Sequence, residues 1–173
     1  RTGLLLYGDV GTGKTYLAAC IANALLDQGV SVKWLTSMQI VERSCFCNEA
    51  EYAEYLNSIT APDLLVIDDL GAERGTEFAV ERVHSLVDTR ISANLPMIVT
   101  TNIDITDMGN CTDLKKERTF DRILPATFAF AMKGISYRMK QAQQSYETLK
   151  NLLLGEEIKT NRKVESTNEN HQN

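Results

Sequence analysis

Residues Gly8 to Thr15 read Gly-Asp-Val-Gly-Thr-Gly-Lys-Thr, between the apolar run Leu4–Tyr7 and the helix-like stretch Tyr16–Leu25. A strand, a glycine-rich turn and a helix in that order constrain the fold strongly, because the turn must bring backbone N–H groups and a helix N-terminus to one point. Glycines let the backbone close around phosphate oxygens, Lys14 is placed to reach the β- and γ-phosphates, and Thr15 offers a hydroxyl to Mg²⁺. Gly8, Asp9, Val10, Gly11, Thr12, Gly13, Lys14 and Thr15, with Tyr16 in the first helical turn, are therefore the candidate nucleotide-binding residues. A solvated glycine turn would leave the flanking strand and helix unexplained.

Apolar runs bounded by turn signals recur at Leu4–Tyr7, Val32–Leu35, Leu64–Ile67, Met97–Thr100 and Thr127–Ala131, with helical periodicity in most of the intervals. Continuous apolar strands alternating with helices predict a five-stranded parallel sheet covered on both faces, an α/β fold. Ala79, Val83, Leu86, Val87 and Arg90–Ile91 step by three and four, so the helix that carries them should lie on the sheet. Between the second and third strands, the segment from Thr36 to Asp63 exceeds what one crossover helix needs. Two helices are expected there, one near Ser37–Cys45 with a serine at its N-cap and one near Glu49–Ser58, before Ala61-Pro62 breaks the chain. Met139, Ala142, Tyr146, Leu149 and Leu153 mark a final helix over Tyr137–Leu154, which Gly155 is placed to end.

Residues 1–154 thus read as one domain. Residues 155–173 are rich in Glu, Lys, Asn and Thr and read as a disordered tail, with too few apolar groups to offset the entropy of ordering. The opening at Arg1, without a methionine, reads as a fragment of a longer protein. The net charge of −5 argues against coating duplex DNA by bulk electrostatics, although local basic surface remains open. No run approaches the roughly 18 apolar residues of a membrane span, and the expected location is the cytoplasm. Cys20, Cys45, Cys47 and Cys111 are irregularly spaced and read as buried or idle thiols rather than a metal site.

Leu64–Ile67 runs into Asp68 and Asp69. A strand parallel to the first delivers its C-terminal end to the sheet edge where the phosphate loop lies. Asp68 is placed to hold Mg²⁺ and Asp69 to orient an attacking water, although Asp69 also suits the following turn at Leu70-Gly71. Met97–Thr101 runs into Asn102, whose amide could bond the attacking water or the γ-phosphate and is equally at home in a turn. Arg118 and Arg122 share a helix face, and Arg138 opens the last helix; a guanidinium forks well onto phosphate oxygens and serves equally in surface ion pairs.

This ordered set resembles the AAA+ ATPases, and within them the bacterial replicative helicase loaders of the DnaC and DnaI type with their transposase-associated IstB relatives. The likeness runs from Thr2 to about Leu154 and is carried by Gly8–Thr15, Leu65–Glu73, Ile98–Asn102, Arg118–Ile123 and Ser136–Arg138. It implies a three-layer P-loop NTPase with ATP and Mg²⁺ as cofactors, and a helical lid reduced to little more than one helix. It also implies Asn102 as sensor 1, Arg122 as the finger that completes a neighbour's site, and Arg138 as sensor 2. A finger acting in trans implies a head-to-tail homo-oligomer, and slow ATP hydrolysis by the isolated chain. AAA+ ATPases in general have glutamate as the second acid, and Asp69 is one methylene shorter, as the loader and initiator branch often has it, which implies weak, switch-like turnover.

The implied activity is ATP-dependent loading of a DnaB-type replicative helicase onto single-stranded DNA. Loaders of this kind grip the helicase through an N-terminal domain, which this fragment is expected to lack. In the resembled branch an extra helix near the second strand lines a DNA channel, which makes Phe46, Tyr52, Tyr55, Lys33 and Arg43 candidates there; the helical spacing of the two tyrosines favours core. Three alternatives stay open. They are a transposition accessory ATPase acting with a transposase on duplex DNA, a small-molecule P-loop kinase, and a nucleotide-binding adaptor that hydrolyses nothing.

Overall fold

The computed structural model describes residues 3–45, 47–72, 76–108 and 114–154. Its chain divides into two units, Arg1–Tyr137 and Arg138–Asn173.

In the first unit, β1 (Gly3–Tyr7), β2 (Val32–Thr36), β3 (Leu64–Leu70), β4 (Met97–Thr101) and β5 (Thr127–Ala131) form one parallel sheet in the order β2-β3-β4-β1-β5. Strand side chains alternate between faces, and the two cores divide accordingly. Leu6, Leu64, Val66 and Ile98 face α1 (Lys14–Leu26) through Ala18 and Ala22. Leu5, Leu65, Ile67 and Val99 meet Val83, Leu86 and Val87 of α4 (Glu77–Ser92), and Phe120 and Ile123 of α6 (Leu114–Ala126). Helix, sheet and helix make three layers, as the alternating runs predict.

The β2–β3 crossover holds two helices, α2 (Ser37–Cys45) and α3 (Glu49–Thr60). Asn48 caps α3 in a reciprocal box with Glu51, which satisfies two backbone N–H groups at once. The expected serine cap of α2 is wrong. Ser37 is buried within the helix and donates to the carbonyl of Asp69 at 2.8 Å, while Thr36 and Gln39 exchange the capping bonds at 3.1 and 2.9 Å. The short α5 (Ile105–Met108) is an element the periodicity did not indicate.

Arg90 is fully buried at the end of α4, where burial pulls its pKa down from the usual guanidinium range. It donates to the carbonyls of Ile59 (2.9 Å), Pro62 (2.7 Å), Asp63 (2.8 Å) and Pro96 (3.1 Å), clamping the entrances of β3 and β4. Cys20 and Cys45 are exposed free thiols, not buried ones. Among the described residues no helix is long and apolar enough to cross a membrane.

The described part of the second unit continues α7 (Tyr137–Leu154), whose Met139, Tyr146, Leu149 and Leu153 are all more than half exposed. Phe46, Glu73, Cys111, Gly155 and the expected tail at 155–173 lie outside the described residues.

Candidate functional site

The phosphate loop leaves β1 at Tyr7 and enters α1 through Gly13, which sits at φ 96° where a side chain would be strained. Gly8 at φ 121° is stricter still, since a Cβ there would stand 2.6 Å from the carbonyl oxygen of Met132. Lys14 is buried, and its Nζ donates to the carbonyls of Gly8 (2.9 Å) and Asp9 (2.6 Å). Thr12 donates to the same Asp9 carbonyl at 2.8 Å. The lysine is thus folded over the loop it belongs to, and reaching a phosphate exchanges carbonyl acceptors for anionic ones. Tyr16 is 76% exposed at the start of α1, and Val10 is exposed on the loop.

The segment after β5 braces this loop. The Met132 N–H donates to the Tyr7 carbonyl at 2.7 Å, that of Gly134 to the Asp9 carboxylate at 3.1 Å, and that of Tyr137 to the Gly11 carbonyl at 2.9 Å. Ser136 also sits where a Cβ on Gly11 would fall. Lys133 pairs with Asp104 at 3.1 Å; the Thr106 N–H first, and then the Lys133 ammonium, hold the Asp104 carboxyl below its usual range, while Asp104 holds Lys133 up. Sequence spacing offers no signal for this brace, which joins residues more than a hundred positions apart.

β3 brings its acids to the same edge. The Thr15 hydroxyl donates to Asp68 Oδ1 at 3.0 Å across 53 positions, and the Thr100 hydroxyl donates to the same oxygen at 2.6 Å. Asp68 is 8% exposed, whereas Asp69 turns outward at φ 59°, a left-handed conformation that aspartate tolerates better than most side chains. Its N–H donates to Thr100 Oγ1 at 2.9 Å, and Asn102 donates through Nδ2 to Asp69 Oδ1 at 3.0 Å. Thr15, Asp68, Asp69 and Asn102 therefore gather where the sequence expects them. Thr100, which touches both acids, was missed; a hydroxyl two residues before the sensor candidate was its only local trace. The hard oxygen donors of Thr15 and Asp68, converging within hydrogen-bond distance, fit an octahedral cation that retains most of its water.

Arg122 is elsewhere. It donates through Nε at 2.8 Å, and also through Nη2, to Asp88 Oδ1 on α4. Arg118 is exposed on the same helix, and Arg138 is the first residue of the second unit. Of the DNA candidates, Tyr52 lies under the Arg82 guanidinium, 4.0 Å from its ring centroid, and the hydroxyls of Tyr52 and Tyr55 are buried. These rings are packed rather than presented as platforms. Lys33 and Arg43 line an open groove beside Tyr55, with Lys33 bonded to Ser58 Oγ at 3.0 Å.

Residues 1–162 match the family described as IstB-like ATP binding protein. The chain belongs to this family. Among curated relatives of this IstB-like domain, the replicative helicase loader DnaC of Escherichia coli K12 is 36% identical over 119 residues, covering 67% of the chain and 47% of the relative. A putative ATP-binding protein in an insertion sequence of Mycobacterium tuberculosis is 23% identical over 141 residues, covering 80% and 56%. A crystal structure of DnaI superposes with a TM-score of 0.65 at 27% identity, over 77% of this chain and 74% of that one. The chain spans about half the length of the curated relatives it matches. The fold is the AAA+ P-loop architecture, and the family is a nucleotide-binding one.

Proposed function

We propose that this chain is the ATPase part of a replicative helicase loader, using ATP to place a DnaB-type helicase on single-stranded DNA. The observation that carries this reading is the pairing of one structural cluster, Lys14 with Thr15, Asp68, Asp69 and Asn102, with a sequence more similar to DnaC than to the insertion-sequence relative. Lys14 and the loop N–H groups bind the β- and γ-phosphates. Thr15 and Asp68 are the residues that would hold Mg²⁺, which when bound neutralises charge between those phosphates. Asp69, aligned by Asn102, orients the attacking water. Arg122 completes a neighbour's site in a head-to-tail oligomer and Arg138 serves in cis.

The family description and the insertion-sequence relative support a second reading, a transposition accessory ATPase on duplex DNA. Equilibrium binding of the chain with Mg·ATP to single- and double-stranded oligonucleotides across a salt series separates the two. The loader reading expects tighter binding to single strands. Preference for duplex, together with capture by a transposase, would replace it. The Lys14→Ala variant should fold as the wild type and lose calorimetric binding of Mg·ATP; unchanged binding would remove the nucleotide site from both readings.

A further inference from the structure

We propose that Asp88 restrains Arg122, so that the arginine must leave an ion pair within its own chain before it can act on a neighbour's nucleotide. The inference rests on the reading of Arg122 as a finger in trans.

Topology keeps Arg122 from its own phosphate loop. α6 leads into Thr127, which pairs with Gly3 at the start of β1, whereas the loop follows Tyr7, four residue steps or about 13 Å further along the sheet. The helix itself is fixed, because Phe120 and Ile123 are buried and His84 meets Thr119 across the same seam at 3.2 Å, one turn before the Asp88 pair. Only the guanidinium is left to move. Its Nε and Nη2 both sit on Asp88 Oδ1, so what faces outward is a neutralised pair rather than a positive charge. Delivered as it stands, that pair would also carry a carboxylate toward a triphosphate.

Arg122 and Asp88 are 51% and 38% exposed, and an exposed pair of this kind shifts an equilibrium by up to about five-fold. Asp88 therefore sets how much protein is needed for assembly, and leaves the assembled rate alone.

The test measures self-association with Mg·ATP, by sedimentation, and ATPase per subunit, both against protein concentration. D88N keeps the shape of the side chain and loses its charge. Its midpoint for both readouts should fall roughly two- to five-fold with the plateau rate unchanged, and D88S should match it. R122A should lose the plateau at every concentration, and the double variant should behave as R122A. An unmoved or raised midpoint in D88N beside an inactive R122A overturns the restraint alone. A lowered plateau in D88N also overturns it, by making Asp88 an aid to the finger. A wild-type plateau in R122A overturns the finger reading and takes the restraint with it.

Discussion

Thr100→Val removes one hydroxyl from a buried position without changing side-chain shape, and its cost follows from what that hydroxyl does. Thr100 is 2% exposed, so no water stands ready to replace it. It donates to Asp68 at 2.6 Å, a bond to a carboxylate that contributes about 1.5–3 kcal/mol, and it accepts from the Asp69 N–H, whose loss adds about 1 kcal/mol. Valine leaves no cavity, so nothing further is added, and the sum is about 3 kcal/mol. With a urea slope of about 2 kcal/mol/M, the denaturation midpoint should fall by roughly 1.5 M at unchanged slope. The same substitution frees the Asp68 carboxylate to turn away from Thr15, and loss of such an orienting partner typically weakens metal-dependent binding about 10–100-fold, readable by calorimetry with Mg·ATP. In an Asp68→Asn background the hydroxyl meets a neutral amide, so T100V should cost at least about 1 kcal/mol less there. A loss below 1 kcal/mol in the wild-type background, or no coupling to D68N, would refute the argument that Thr100 holds Asp68.

Arg90→Met strips four carbonyls of a charged donor while keeping most of the buried volume. Some of those carbonyls lie in loops that can regain water, so the expected loss is about 3–5 kcal/mol by urea denaturation, and Arg90→Lys should recover less than half because an ammonium cannot fork to four acceptors. Tyr55 is pushed up from 10.0 to about 12, first by burial and then by neighbouring Tyr52, so the folded state holds its proton more tightly than the unfolded chain. The resulting stability is fully present below pH 10 and is lost as pH rises toward 12. Tyr55→Phe should flatten that alkaline limb in thermal melts, and at pH 8 leave the midpoint equal or higher, since it also removes a buried hydroxyl that has no partner.

The order of elements was legible in the sequence because parallel strands are buried on both faces and so appear as unbroken apolar runs; Thr127–Ala131 coincides with β5, and Tyr137–Leu154 with α7. Strand β3 extends past Ile67 to Leu70, beyond the apolar run, because Asp68 still pairs with Thr36 of β2 and Leu70 with Thr101 of β4, on either side of a shift in register. The phosphate loop and its acids were legible for the same reason: strand-end chemistry sits next to a strong local signal. Thr100, the Asp9–Gly134 brace and the Arg90 clamp were not. Each is a contact between side chains and distant backbone, and a threonine or arginine inside a periodic stripe looks the same whether it is a spectator or a tie. Ser37 differs again: Thr36-x-x-Gln39 carries the reciprocal capping signature one residue earlier, and the adjacent serine is a residue type that suits the same cap.

The two acids expose a conflict between pattern and geometry that the backbone resolves. Successive strand residues point to opposite faces of a sheet, so Asp68 and Asp69 in a regular strand could not both serve one edge. The β3–β4 register shifts between Ile67 and Leu70, and Asp69 takes up a positive φ within that irregularity. Asp68 stays buried against Thr15 and Thr100, while Asp69 swings out to meet Asn102. A left-handed residue with a short polar side chain is cheaper here than glutamate, because aspartate and asparagine are the side chains that visit this region most readily. The aspartate at this position is thereby tied to backbone conformation as well as to reach. Thr100, which bonds the carboxylate of one acid and the N–H of the other, fixes both to the same strand end.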